Sequence, residues 1–303
     1  MTTVLLAGLL AGSGNGTARL TTRVVRIAPL VAAPPIVGRA ACAGSTWLLT
    51  TSGTLIRIAR HGERVVTRQV GQLRDDDRLW GLACLDDGSL WTLAAGHVLA
   101  RLTSDGAIAE RRALLLPQVE LFGIRDRLVF LGLPIVPNRP VLAASTRREP
   151  QNVRPWTGLI GRAGFGTSPD LVTNLVGCGI GFGSMLPCWF SDQNRISISD
   201  GTLTRTIAFP LLERDGIDRV APIRDVALVE GGAMWILAAS TTTSNGRRVG
   251  GRLIKANAAG VEQSSLALAP AARVIVDSSA HRCVLLAVTG MLIEVSDEPE
   301  AIL

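Results

Sequence analysis

A tight turn feeding an apolar strand through a bulky residue recurs six times along the chain: AGSTWLLT at 43–50, DDGSLWTL at 86–93, RDRLVFLG at 125–132, LPCWFSD at 186–192, EGGAMWIL at 230–237 and HRCVLLAV at 281–288. Trp47, Trp91, Phe130, Trp189, Trp235 and Leu285 mark the register, spaced by 44, 39, 59, 46 and 50 residues. A repeat of this length is one supersecondary unit that cannot bury its own faces, so neighbouring units must stack. Most marks are followed by a glycine that opens another apolar strand: Gly53 in GTLIRI, Gly96 in GHVLARL, Gly201 in GTLTRTI, Gly251 in GRLIKA and Gly290 in GMLIEV. In the third unit NRPVLAAS takes that place. A third turn, HGERV at 61–65, SDGAI at 104–108 or NAAGV at 257–261, leads into a final strand. Gly and Asp-Gly punctuation interrupts nearly every apolar run, which leaves no room for a sustained helical period.

Four strands per unit and six units predict an all-β fold, a six-bladed propeller of four-stranded antiparallel blades. The last unit, from about Ala272, supplies three strands before Leu303, while ARLTTRVVRIA at 18–28 is an isolated strand-like segment. Pairing the two ends completes the sixth blade, closes the ring with an N-terminal strand and removes the exposed edges of an open array. The domain is therefore expected to span 18–303, as a monomer; two separate β domains are the alternative. The long third spacing points to an insertion at about 133–175, read as a loop over one face that is either a recognition element or an elaboration of the propeller. Its Gly161–Gly166 stretch lacks the GK[ST] and the helix of a phosphate loop.

Hydrophobic residues make up 47% and charged residues 18% of the chain, which suits a packed globular protein rather than a disordered one. The net charge of +6 does not imply nucleic acid, because the 31 basic residues include a single lysine, Lys255, and the pairs Arg111-Arg112, Arg147-Arg148 and Arg247-Arg248 lie far apart. No run approaches the roughly 20 apolar residues of a membrane span. Residues 1–17, with VLLAGLLAG at 4–12 followed by small residues, read either as the end of a secretory signal or as a flexible leader. A periplasmic or extracellular location is the expectation.

The DDGSLW and EGGAMW turns, each followed by a Gly-apolar strand, resemble those of NHL-like and related six-bladed bacterial propellers. That resemblance implies a fold and a sorting of loops. With strands lettered A to D outward from the channel, the D–A and B–C loops share the face that ligands approach, and the A–B and C–D turns share the other. Expected on the ligand face are Asp75, Asp76, Asp77, Arg78 and Trp80, then Glu120 and Phe122, then Asp215, Asp218, Arg219, Arg224 and Asp225. Asp77, Arg78, Trp80, Glu120, Phe122, Arg224 and Asp225 form the candidate binding set. Carboxylates there suit Ca²⁺, and Arg with aromatic groups suits a polar ligand, so the expected partner is a protein, peptide or glycan. A charged, solvated rim is the alternative. No cofactor is expected.

Similarity to six-bladed gluconolactonases and lactonases raises an enzymatic alternative, a metal-dependent lactonase- or esterase-like hydrolase with its ion in the channel. It needs several carboxylate and amide ligands at strand entrances. Glu120 and Asp225 are compatible, whereas Asn is missing from those entrances and Asn174 is the nearest. The three histidines, His61, His97 and His281, fall in different kinds of turn and do not converge. Among five cysteines, Cys178 and Cys188 flank GIGFGSMLP; a turn centred on Gly183 sets them opposite each other, and a disulfide there would fit an exported protein. Cys42 and Cys84 are read as buried thiols of neighbouring blades, and Cys283 opens a B strand. No Cys-x-x-Cys pair is present.

Overall fold

The computed structural model describes residues 20–25, 35–42, 44–61, 64–72, 79–94, 97–103, 105–114, 118–132, 142–146, 148–149, 154–155, 175–190, 195–200, 204–208, 223–239, 241–242, 248–249, 251–268, 272–287 and 290–297. These residues build an all-β propeller architecture of antiparallel sheets. The first sheet comprises β2 (Ile36–Cys42), β3 (Ser45–Thr50), β4 (Thr54–His61) and β5 (Arg64–Gln72), and the second β6 (Leu79–Cys84), β7 (Leu90–Ala94), β8 (Val98–Leu102) and β9 (Ile108–Ala113). The third holds β10 (Gln118–Ile124), β11 (Arg127–Gly132), β12 (Leu142–Thr146) and β13 (Arg154–Pro155). The fourth holds β14 (Leu175–Cys178), β15 (Leu186–Phe190), β16 (Arg195–Ser199) and β17 (Thr204–Ala208). In the fifth, β18 (Ile223–Leu228) and β19 (Met234–Ala238) are followed by a small hairpin, β20 (Thr241–Thr242) and β21 (Arg248–Val249), before β22 (Gly251–Ala256) and β23 (Glu262–Leu268). The sixth contains β24 (Ala272–Ser278), β25 (Arg282–Ala287) and β26 (Leu292–Ser296), with β1 (Thr21–Val25) paired antiparallel to β26 from Thr21↔Ser296 to Val25↔Leu292.

Every register mark falls on the second strand of its sheet and is buried. The reason is that these strands have neighbours on both edges and both faces, so β3, β7 and β19 are buried at every position, with apolar side chains interrupted only by small hydroxyl residues such as Thr46 and Thr92. Outer strands face water on one side, and β9 accordingly alternates as IAERRA.

Side-chain alternation also joins the sheets. Trp47 packs with Leu82 and Cys84, Trp91 with Leu121 and Phe130, Val129 with Cys188, Trp189 with Val226, and Trp235 with Leu285. A further cluster sets Leu48 and Ile56 of the first sheet against Val276 and Leu286 of the sixth. Each fully buried side chain of this size contributes about 1.5–3 kcal/mol, so the sheet-to-sheet clusters carry the stability of the fold. The chain's one lysine reinforces the junction of the fifth and sixth sheets: Lys255 is ion-paired with Asp297 and sits 5.6 Å from the centre of the Trp235 ring.

Two expectations change. Within 133–175, β12 and β13 are the third and fourth strands of the third sheet, so residues 142–146 and 154–155 are not loop; a sheet needs those strands to cover β11. Cys84 is disulfide-bonded rather than a free thiol; the side chain of Cys42 lies outside the described residues.

Candidate functional site

The first strands of the sheets meet one another at the centre: β2 touches β6, β10 and β24, and β18 touches β14 and β24. All six shift register near their start, between Ile36 and Gly38, Trp80 and Leu82, Gln118 and Glu120, Leu175 and Gly177, Ile223 and Asp225, and Ala272 and Val274. A bulge leaves one residue unpaired, bends the strand and re-aims the side chains beside it. The approach between strands is close. A Cβ on Gly179 would lie 1.8 Å from the Val226 carbonyl oxygen, because residues 179–180 run along β18, with Ile180 N–H donating to Val226 O and Leu228 N–H to Ile180 O, both at 2.9 Å.

Three of these strands bring charges together. Asp225, in the apolar stretch IRDVAL of β18, is buried, and Arg39, in IVGRAAC of β2, has a side chain only 12% exposed. They form a two-pronged ion pair, with Arg39 Nη2 donating to Asp225 Oδ1 at 3.0 Å and Nη1 to Oδ2. The carboxylate also accepts Val226 N–H at 2.9 Å and Ile275 N–H at 2.6 Å, while Arg39 Nη1 donates to the Ile275 carbonyl. An innermost strand has one edge without a partner strand, and here the ion pair satisfies the open N–H and C=O of β24. Four donors surround Asp225, which matches the acceptor capacity of an ionised carboxylate.

Glu120 on β10 is the third member. Burial pushes its carboxyl up to about 7; the Arg39 charge opposes this shift and the Asp225 charge adds to it. Near neutrality its proton is therefore in play, and the group can act as hydrogen-bond donor or acceptor.

Of the candidate binding residues, Asp77 and Arg78 lie outside the described residues. Trp80 and Arg224 stand at the bulges of β6 and β18. The buried Trp80 Nε1 has no hydrogen-bond partner, and Arg224 is exposed and unpaired among the described residues. Asp225 is not a rim residue but an internal anchor. Phe122 also departs from the rim: it is half-buried against Ile124 and Cys178 and lines a cleft of about 150 Å³ with Arg39, Cys84, Asp86 and Arg125, beside the turn that joins β10 to β11. The reason is the rise of the strand, about 3.3 Å per residue, which by Phe122 has carried β10 away from the bulge at Glu120 and toward the A–B turn. Arg39 was missed by motif reasoning, although a lone charge in an apolar first strand is a signal, since a buried charge requires a partner.

Cys178 and Cys188 are register partners on β14 and β15 and are disulfide-bonded. The turn between them contains Gly183 at φ 61°, with Phe182 and Met185 exchanging backbone hydrogen bonds. Cys283 is buried and forms no disulfide. His281 is exposed and pairs through Nδ1 with Asp297 at 3.0 Å, while His61 ends β4 of the first sheet and His97 lies in the turn just before β8 of the second.

A channel ion does not fit the donor set described here. A divalent cation at Asp225 would face the Arg39 guanidinium and compete with four donors already on the carboxylate. Among the described residues no three His, Cys, Asp or Glu side chains gather to hold a metal. Among them, too, no helix is long and apolar enough to cross a membrane.

No family model matches the chain, and no curated protein matches it. Solved structures do. A luciferin-regenerating enzyme superposes with a TM-score of 0.57 at 12% identity, covering 91% of this chain and 95% of its own. A gluconolactonase from Xanthomonas campestris gives 0.55 at 12% identity, covering 97% and 99%. Virginiamycin B lyase from Staphylococcus aureus gives 0.52 at 10% identity, covering 92% and 99%. The chain shares the β-propeller fold of these proteins; identities this low carry fold and not chemistry.

Proposed function

We propose that the chain is a six-bladed propeller, its ring closed by β1, that works outside the cytoplasm as a monomeric binding module for a protein, peptide or glycan. The six sheets, the pairing of β1 with β26 and the cluster joining the sixth sheet to the first support the ring. The Cys178–Cys188 bond supports an oxidising compartment.

One observation carries the binding reading. Trp80, Glu120 and Arg224 flank the bulges of three first strands without a hydrogen-bond partner among the described residues, while the Arg39–Asp225 pair beside them is fully engaged. A carboxyl that carries a proton near neutrality and an exposed guanidinium, beside the Trp80 ring, together favour a ligand rich in acceptors, such as a sugar or a peptide backbone. The test is a glycan array and a displayed peptide library probed with the native protein and with a Trp80→Phe, Glu120→Gln, Arg224→Ala variant. Ligands of the native protein should be lost by the variant; equal retention of every ligand rules out this face. N-terminal sequencing of the protein from its host tests export.

A hydrolase reading draws on Glu120 alone, because an acid titrating near neutrality beside a fixed carboxylate suits general acid–base work. Turnover of aryl esters or lactones that disappears in Glu120→Gln would select it over simple binding.

A further inference from the structure

On the A–B turn side of the fourth and fifth sheets lies a concavity of about 410 Å³, away from the first-strand bulges. Ile198, Leu228 and Val229 form its floor and are buried in or beside the sheets; Met185 packs against the same core and Phe182 stands at the mouth. Phe182 is 51% exposed, one of two large hydrophobic side chains left so among the described residues. Its position is not loose. The turn that carries it is closed by paired hydrogen bonds between Phe182 and Met185 and tied to β18 through Ile180. The exposed ring extends the apolar lining that Met185, Ile198, Leu228 and Val229 give the concavity, so a ligand seated there would bury apolar surface on both sides.

Arg205 of β17 is the one charged group of this lining. It is exposed, it makes no ion pair or hydrogen bond among the described residues, and its Nη2 lies 3.9 Å from where a Cβ on Gly232 would sit, which places the guanidinium at the cavity wall. The volume falls within the roughly 300–1,000 Å³ of small-molecule sites, and an apolar wall with one guanidinium is complementary to an apolar body bearing one anionic group. We propose that this cavity binds a small apolar carboxylic acid, with the carboxylate on Arg205 and the hydrocarbon between Phe182, Met185 and Leu228. The site is independent of the channel entrance, and no residue is shared between them.

The full chain is titrated calorimetrically with 4-phenylbutyrate and with its neutral counterpart, 4-phenylbutanol. Saturable one-to-one binding of the acid is expected, with the alcohol weaker by about 10-fold or more, since a charge-assisted contact is lost. Arg205→Gln should reduce affinity for the acid to that for the alcohol, and Phe182→Ala should weaken both. Both substituted side chains are exposed, and unchanged thermal midpoints will show that the fold is intact. Absence of saturable binding up to about millimolar acid, the range of weak ligands, overturns the proposal. So does equal affinity for acid and alcohol, or indifference to Arg205→Gln. Binding of an acidic aromatic peptide by a chain that ignores the free acid overturns the small-ligand assignment.

Discussion

Asp225 on β18 accepts the backbone N–H of Ile275 on β24 at 2.6 Å, across fifty residues of sequence. The same carboxylate holds Arg39 of β2, so one side chain ties together the first strands of three sheets.

Loss of that tie is expected to be costly. Asp225→Ala leaves the Arg39 charge and two backbone N–H groups unmatched and should destabilise by about 3–5 kcal/mol. Replacing both members with apolar residues, Arg39→Met with Asp225→Leu, should cost less than the sum of the single changes, because no unpaired charge remains. Urea denaturation of the four proteins completes the cycle.

Glu120 makes stability fall with rising pH. Its folded value of about 7 lies above the ordinary 4.5, so between those values the folded state holds a proton that the unfolded chain has released. Stability is fully present below about pH 4.5 and is lost as pH rises toward 7, by up to about 3 kcal/mol for this group. Glu120→Gln should remove that slope. Urea midpoints from pH 4.5 to 8 check it, and parallel slopes in both proteins would count against a buried, protonated Glu120.

Reduction of Cys178–Cys188, which closes a loop with a sequence separation of 10, should destabilise by about 3 kcal/mol on chain-entropy grounds. The double variant Cys178→Ala, Cys188→Ala should match reduced native protein at this site. Thiol titration adds a second readout: the buried Cys283 should react only after unfolding.

Removal of residues 1–25 strips β1 from β26 and leaves β26 as an open edge. The truncated protein should melt at a lower temperature and self-associate, since an unpaired strand is a template for other chains. Light scattering with a thermal scan tests this, and an unchanged monomer of unchanged midpoint would mean that β1 contributes nothing to closure.

Much of the fold was legible because propeller sheets are local. Trp47, Trp91 and Trp235 sit on strands buried on both faces, so each stands in an apolar run next to a Gly-containing turn, and a hairpin is specified within some twenty residues of chain. The opposed cysteines followed from the same logic, a turn at Gly183 with equal arms. The bulges did not. Only the second has a glycine between its shifted pairs, Gly81, at φ 64°, and the rest arise where first strands crowd together at the centre.

The site divides along the same line. The sequence by itself determined that the chain alternates short strands and turns in six units, and that Glu120 and Asp225 stand near the starts of first strands. Only the tertiary structure decided that Arg39 meets Asp225, that this pair closes the edge of β24, and that Glu120 keeps its proton to about pH 7. The physical reason is range. Strand pattern is written in neighbouring residues, whereas a buried charge is set by whatever groups the packed sheets bring within a few ångströms, from positions far apart in the chain.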